Sequence, residues 1–127
     1  MTEQQVVNLF NRLYTWNTLA TNLNASSVLS DIPSRYGLLK IEAKIGALKF
    51  VRVLDRHVGI EGGSIISDIG YMDDKEYHIN FQYEGSSQLS SIRLIGAWYT
   101  YHTANINIVE VSDQVTWSVY YTDPFYL

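Results

Sequence analysis

Arg93-Leu94-Ile95-Gly96-Ala97-Trp98-Tyr99-Thr100-Tyr101-His102 is a strand-length run with no polar face. A strand with one side in water alternates apolar and polar residues. Strict alternation here puts Leu94 and Trp98 on one side and Ile95, Tyr99 and Tyr101 on the other. Both sides of this strand therefore need cover from a helix, another chain or a ligand. The run opens a C-terminal third that reads strand, turn, strand and is rich in rings. Trp98, Tyr99, Tyr101, Trp117, Tyr120, Tyr121, Phe125 and Tyr126 all fall within residues 98–127.

The neighbouring segments supply the rest of a sheet. Tyr77, Ile79, Phe81 and Tyr83 alternate with Glu76, His78, Asn80, Gln82 and Glu84, the pattern of a strand wet on one face. Leu39, Ile41, Ala43 and Ile45 alternate with Lys40, Glu42 and Lys44, and Gly46 then marks a turn or bulge. Leu48 to Leu54 reads as a strand of undecided phase, since Val51 and Val53 share one parity and Phe50 and Leu54 the other. Ile65 to Tyr71 reads as a short strand and Met72-Asp73-Asp74-Lys75 as a turn. Downstream, Ile106 to Val111 is a further strand. Val115, Trp117, Val119 and Tyr121 alternate with Thr116, Ser118 and Tyr120 in the last one, which Asp123-Pro124 ends. Short turns between successive strands imply antiparallel neighbours.

The N-terminal segment reads as a helix. Thr2 and Gln5 stand at capping-box spacing. Val6, Leu9, Phe10, Leu13, Tyr14, Trp16, Ala20 and Leu23 follow at three-and-four spacing. The pattern predicts a helix over about 3–23, a connector over 24–37, a sheet over 38–123 and an apolar tail over 124–127, all in one domain. The expected fold is α+β, with the helix packed on the concave face of a curled, mostly antiparallel sheet of about 5–7 strands. A helix leading into such a sheet resembles the cone-shaped NTF2-like domains in architecture alone, and architecture carries no function with it.

Composition narrows the function. The chain has 127 residues, enough for one core. Its hydrophobic content of 46% against 17% charged residues marks it as globular rather than disordered. A net charge of −4 argues against a general nucleic-acid or anionic-membrane binder. There is no cysteine, so disulfides, thiolate chemistry and cysteine-ligated zinc are excluded. The start, Met1-Thr2-Glu3-Gln4-Gln5, is neither basic nor followed by an apolar run. Neither a signal peptide nor a membrane span is expected, and the expected compartment is cytoplasmic.

Charge is segregated along the chain. Lys40, Lys44, Lys49, Arg52 and Arg56 oppose only Glu42 and Asp55, whereas no Lys or Arg follows Arg93. Either the two regions neutralise each other, within the fold or across a dimer, or one of them is a partner-binding face.

No catalytic motif stands out. His57, His78 and His102 lack metal-ligand spacing. His78, beside Glu76 on a wet face, weighs as a surface histidine more than as a general base. Asp68, Asp73 and Asp74 fail the calcium-loop pattern. Gly59, Gly62 and Gly63 fit neither phosphate-loop motif. No metal and no cofactor are expected.

The aromatic excess carries the functional expectation. Trp98, Trp117 and Tyr121 are assigned to the core. Tyr99, Tyr101 and Tyr120 have the opposite parity. With Phe125 and Tyr126 they form the expected binding face, ringed by Glu110, Asp113 and Asp123 against a basic target. The expectation is a small, acidic, non-enzymatic protein-binding module, of the kind that inhibitors and immunity proteins exemplify. Its partner is another protein, itself as a homo-oligomer, or both. The alternative is a small-molecule or enzymatic cup lined by Trp98, Tyr101, His102 and Trp117, with His102 as acid–base group.

Overall fold

Phe81 and Trp117 meet edge to face, ring centroids 5.2 Å apart, and each comes from a different antiparallel sheet. The computed structural model of the chain describes residues 1–55, 64–85, 89–101 and 107–124, with residues 12–14 described by backbone alone. One helix, α1 (Glu3–Tyr14), precedes the strands. The first sheet runs β1 (Asn17–Leu23), β9 (Val115–Tyr121), β3 (Leu38–Ile45), β4 (Leu48–Asp55). The second runs β2 (Val28–Leu29), β7 (Leu89–Tyr101), β6 (Lys75–Gly85), β5 (Ser64–Met72), with β8 (Val109–Glu110) also on β7. Every strand pairing among the described residues is antiparallel. The fold is α+β, and the described residues form nine strands in two sheets where one curled sheet was expected.

The alternations at β3, β6 and β9 behave as the pattern requires. Leu39, Ile41, Ala43 and Ile45 are buried, as are Tyr77, Ile79, Phe81 and Tyr83, and Val115, Trp117 and Val119. These inner faces share one core. The β3–β4 register settles the phase of β4. Phe50 and Leu54 face inward, while Val51 and Val53 are about half exposed. Arg52 shares the inward parity but reaches sideways to the edge of β5, bonding Asp68 Oδ1 at 2.5 Å and the Ser67 carbonyl at 3.3 Å. It closes the corner between the sheets and covers part of an exposed edge.

The helix is shorter than its spacing predicts, and it lies elsewhere. The capping box forms: Gln5 N–H donates to Thr2 Oγ1 at 3.2 Å and Thr2 N–H to Gln5 Oε1 at 2.8 Å. The helix stops at Tyr14, and Asn17–Leu23, expected to be helical, is β1 against β9. Thr15, Asn17, Thr18, Thr21 and Asn22 are weak helix formers, so a strand partner outweighs the apolar periodicity. Leu19, Ala20 and Leu23 reach the core from the strand instead. The concave position expected of the helix is filled by the second sheet. Val6, Val7 and Phe10 of α1 are 39%, 45% and 53% exposed, so these apolar side chains are not buried against the sheet.

The strand with two apolar faces has a local cause. Asn80 pairs with Gly96 but Phe81 pairs with Leu94, so Ile95 is an extra residue in a β-bulge. A bulge inserts one residue and exchanges the faces beyond it. Leu94 faces inward before it and Ala97 after it. Trp98, assigned to the core by strict alternation, therefore turns outward. Tyr99, assigned to the outer face, packs against the core.

Candidate functional site

The outer face of the second sheet carries the most organised group of functional side chains among the described residues. The register sets Ile69, His78, Trp98 and Glu110 in one row across β5, β6, β7 and β8. The His78 and Trp98 rings stack 3° from parallel with centroids 5.3 Å apart. Gly96 lies beside them, where a Cβ would make ordinary contact with the indole at 3.5 Å. Glu76, two residues along β6 on the same face, fixes the stack. Its Oε2 lies 3.1 Å from His78 Nε2, and its Oε1 accepts the Tyr71 hydroxyl at 3.0 Å. That hydrogen bond, reinforced by the carboxylate charge, pushes the Tyr71 phenol up and keeps it a neutral donor.

Apolar surface continues from this cluster onto edge strand β5. Ile65, Ile69 and Tyr71 share its outward parity and are 54%, 55% and 60% exposed. The ionisable side chains with outward parity on this sheet are mostly acidic, Glu76, Glu84 and Glu110 against Arg93. The outer face of the first sheet is richer in cations, with Lys40, Lys44 and Lys49 around Glu42. The two outer faces thus differ in charge and point away from each other with the core between them, but of the acids that follow Arg93 in the sequence only Glu110 lies on the acidic face.

The residues expected to form one binding face are distributed. Tyr99 and Tyr101 sit at the end of β7, their rings edge to face at 5.7 Å, with Lys75 Nζ 4.7 Å from the Tyr99 ring. A hydrogen bond with Tyr101 is the main cause that pushes the Tyr99 hydroxyl up. Tyr120 lies on the outer face of the other sheet. Glu110 is committed to the main chain: its Oε1 accepts Ser112 N–H at 3.1 Å and Ala97 N–H at 3.4 Å. Asp113 is exposed in the 3₁₀ turn Ser112–Gln114. Asp123 accepts from Asn17 Nδ2 at 3.5 Å. Phe125 and Tyr126 lie outside the described residues.

The residues expected to line a cup are likewise parted. Trp117 is fully buried between the sheets, Trp98 faces outward, and Tyr101 is 46% exposed at a strand end. His102, like His57, lies outside the described residues. Among the described residues no three of His, Asp and Glu gather as a metal site, and no helix is long and apolar enough to cross a membrane.

Sequence reasoning missed Ile65, Ile69 and Tyr71 as surface, and it placed His78 beside Glu76 on a wet face without its Trp98 partner. The signal was present at 65–71, where Ile65, Ile69 and Tyr71 share one parity and Ile66 and Gly70 the other. Such a segment is buried on both sides or offers one side to a partner. Compared with known proteins, the chain matches no family model, no curated protein and no solved structure.

Proposed function

We propose that this chain is a protein-binding module of inhibitor or immunity type that docks through the outer face of the β5–β6–β7 sheet. The observation that carries this reading is the exposure of Ile65, Ile69 and Tyr71 side by side on β5, next to the His78–Trp98 stack. Protein interfaces place aromatic and aliphatic anchors at the centre and charge at the rim. Here Trp98, Tyr71 and Ile69 are the anchors, and Glu76 and Glu84 are acidic neighbours suited to a basic rim on the partner. Glu76 also immobilises Tyr71 and His78 before any encounter, which lowers the entropy cost of ordering them on binding.

The test is immobilised capture from lysate with three proteins in parallel: wild type, Ile69→Asp with Trp98→Ser, and Lys44→Glu on the opposite sheet. The expected result is one retained protein with wild type and Lys44→Glu, lost with the double variant and weakened by salt. Equal capture by all three would sink the reading. So would a stable homo-oligomer that retains nothing and that the double variant leaves intact.

A further inference from the structure

The outer face of the first sheet, on the opposite side of the molecule from the proposed docking surface, holds a cleft beside β1. Strand β1 pairs irregularly with β9. Its register shifts between Thr18 and Ala20 and again between Ala20 and Leu23. Asn22 takes a left-handed φ of 54°, a region that asparagine enters more readily than most residues. From there Asn22 N–H donates to Ser118 Oγ at 3.3 Å. The cleft has a volume of about 270 Å³, and its lining includes Asn22, Glu42, Lys44, Thr116, Ser118 and Tyr120. The β3–β9 register sets Lys44 opposite Thr116, Glu42 opposite Ser118 and Lys40 opposite Tyr120.

The charges around it do not cancel. Lys40 Nζ lies 3.5 Å and Lys49 Nζ 3.4 Å from the same oxygen, Glu42 Oε1. Lys40 is also held by the rings of Trp16 and Tyr120, whose centroids are 4.4 Å and 5.0 Å from its Nζ. Two cations thus meet one carboxylate. Lys44, exposed and in no ion pair among the described residues, adds a third cation. The cleft and its margin are net positive and favour an anion. One acceptor remains within this positive setting. Both lysines come closest to Glu42 Oε1, and Oε2 accepts no hydrogen bond from the described residues.

The rest of the lining can donate. Lys44 brings an ammonium, Asn22 a side-chain amide, and Thr116, Ser118 and Tyr120 bring hydroxyls. Ser118 Oγ already accepts from Asn22, which leaves its own proton to give. The ligand that satisfies this set is a small oxyanion that still carries a proton. Its bare oxygens accept from Lys44 and the hydroxyls, and its O–H donates to Glu42 Oε2. Sulfate has no such proton at neutral pH and would set a bare oxygen against that carboxylate. Free phosphate keeps at least one. We infer that the cleft beside β1 binds inorganic phosphate, and that Glu42 selects it over sulfate. The volume lies below the roughly 300 Å³ at which pockets for drug-sized ligands begin, and it suits a small ion with its water. The site is independent of the protein-docking reading, because it shares no residue with that face.

The experiment is amide chemical-shift mapping on the full-length, isotopically labelled protein, at one near-neutral pH and constant ionic strength. The probes are sodium phosphate, sodium sulfate and phosphoserine, a monoester that loses its last phosphate proton near pH ~6. Phosphate is expected to move the amides of Asn22, Lys44, Thr116 and Ser118, with a dissociation constant of roughly millimolar order. Sulfate and phosphoserine are expected to bind at least about 10-fold more weakly, the effect of losing a hydrogen bond to a charged group. Lys44→Met, which leaves Lys40, Lys49 and Glu42 in place, is expected to weaken phosphate binding about 5- to 10-fold. Glu42→Gln puts an amide donor where the carboxylate stood, and it is expected to erase most of the preference for phosphate over sulfate. The inference is overturned if phosphate moves none of these amides or if Lys44→Met binds it as wild type does. It is equally overturned if sulfate or phosphoserine binds as tightly as phosphate, or if the preference survives intact in Glu42→Gln. Ile69→Asp, on the other sheet, is expected to bind phosphate as wild type does, which separates this result from the docking test.

Discussion

The indole Nε1 of Trp117 donates to the main-chain carbonyl of Asn24 at 3.0 Å. Trp117 is fully buried at the centre of the core, so its one polar atom needs a partner there. That partner comes from the segment between β1 and β2, which reads in sequence as mere connector. The bond ties the segment to the middle of β9. Trp117→Phe removes the bond, leaves the Asn24 carbonyl without this donor and opens a small cavity against Phe81. We expect a loss of about 2–4 kcal/mol in stability. Denaturant unfolding measures it, and a loss below about 1 kcal/mol would mean that the core closes over the change.

At Gly70, β5 passes close to the first sheet. A Cβ built there would stand 3.0 Å from Phe50 Cε1 and 3.2 Å from Leu48 Cδ2. Alanine has an advantage of roughly 0.4–1 kcal/mol over glycine through the unfolded chain. Overpacking costs about 1–3 kcal/mol, and Phe50 is itself buried and has little room to retreat. Strain should win, so Gly70→Ala is expected to destabilise by about 1–2 kcal/mol. Phe50→Leu in the same chain should recover part of that loss. If the two losses simply add in a double-mutant cycle, the contact is not the cause.

These two sites show what a one-dimensional reading captures. Strict alternation placed Trp117 in the core because β9 runs without interruption. The same rule misplaced Trp98 and Tyr99, because the extra residue Ile95 exchanges faces in mid-strand. Gly96, next to it, is the only local hint, since glycine inside a strand often marks a bulge or a close approach. The N-terminal segment failed differently. Its apolar spacing through Leu23 suits a helix, yet Leu19, Ala20 and Leu23 reach the core equally well from a strand once β9 is available to pair. Pairing partners far apart in sequence leave no local trace, so neither β1 nor the two-sheet arrangement was legible.

The β5–β6 hairpin turns through Asp73 and Asp74, with φ of 53° and 59°. Met72 pairs with Lys75, so this is a two-residue loop of the type I′ class, which favours Asn-Gly. Two aspartates there bear left-handed backbone strain. Asp73→Asn with Asp74→Gly is expected to stabilise the protein by roughly 0.5–1.5 kcal/mol. The register should stay as it is, so Ile69 and Tyr71 keep their outward direction. Thermal unfolding checks the gain. A loss of stability would show that one of these carboxylates makes a favourable contact.

Tyr71 provides the pH-dependent test. The hydrogen bond to Glu76, and then the carboxylate's charge, hold the phenol of the folded protein above its ordinary value of about 10. A folded-state pKa above the unfolded one favours the protonated form. The contribution is thus fully present below the ordinary phenol range and is lost as pH rises through the folded-state value. Tyr71 is exposed, so the effect belongs to the local order of the Tyr71–Glu76–His78 cluster more than to global stability. Difference titration of tyrosinate absorbance, wild type against Tyr71→Phe, isolates this one phenol. Glu76→Gln should lower its midpoint toward the ordinary value and leave the other tyrosines unmoved. An unchanged midpoint would mean that Glu76 does not hold Tyr71 in solution, and the pre-ordered docking face would lose one of its supports.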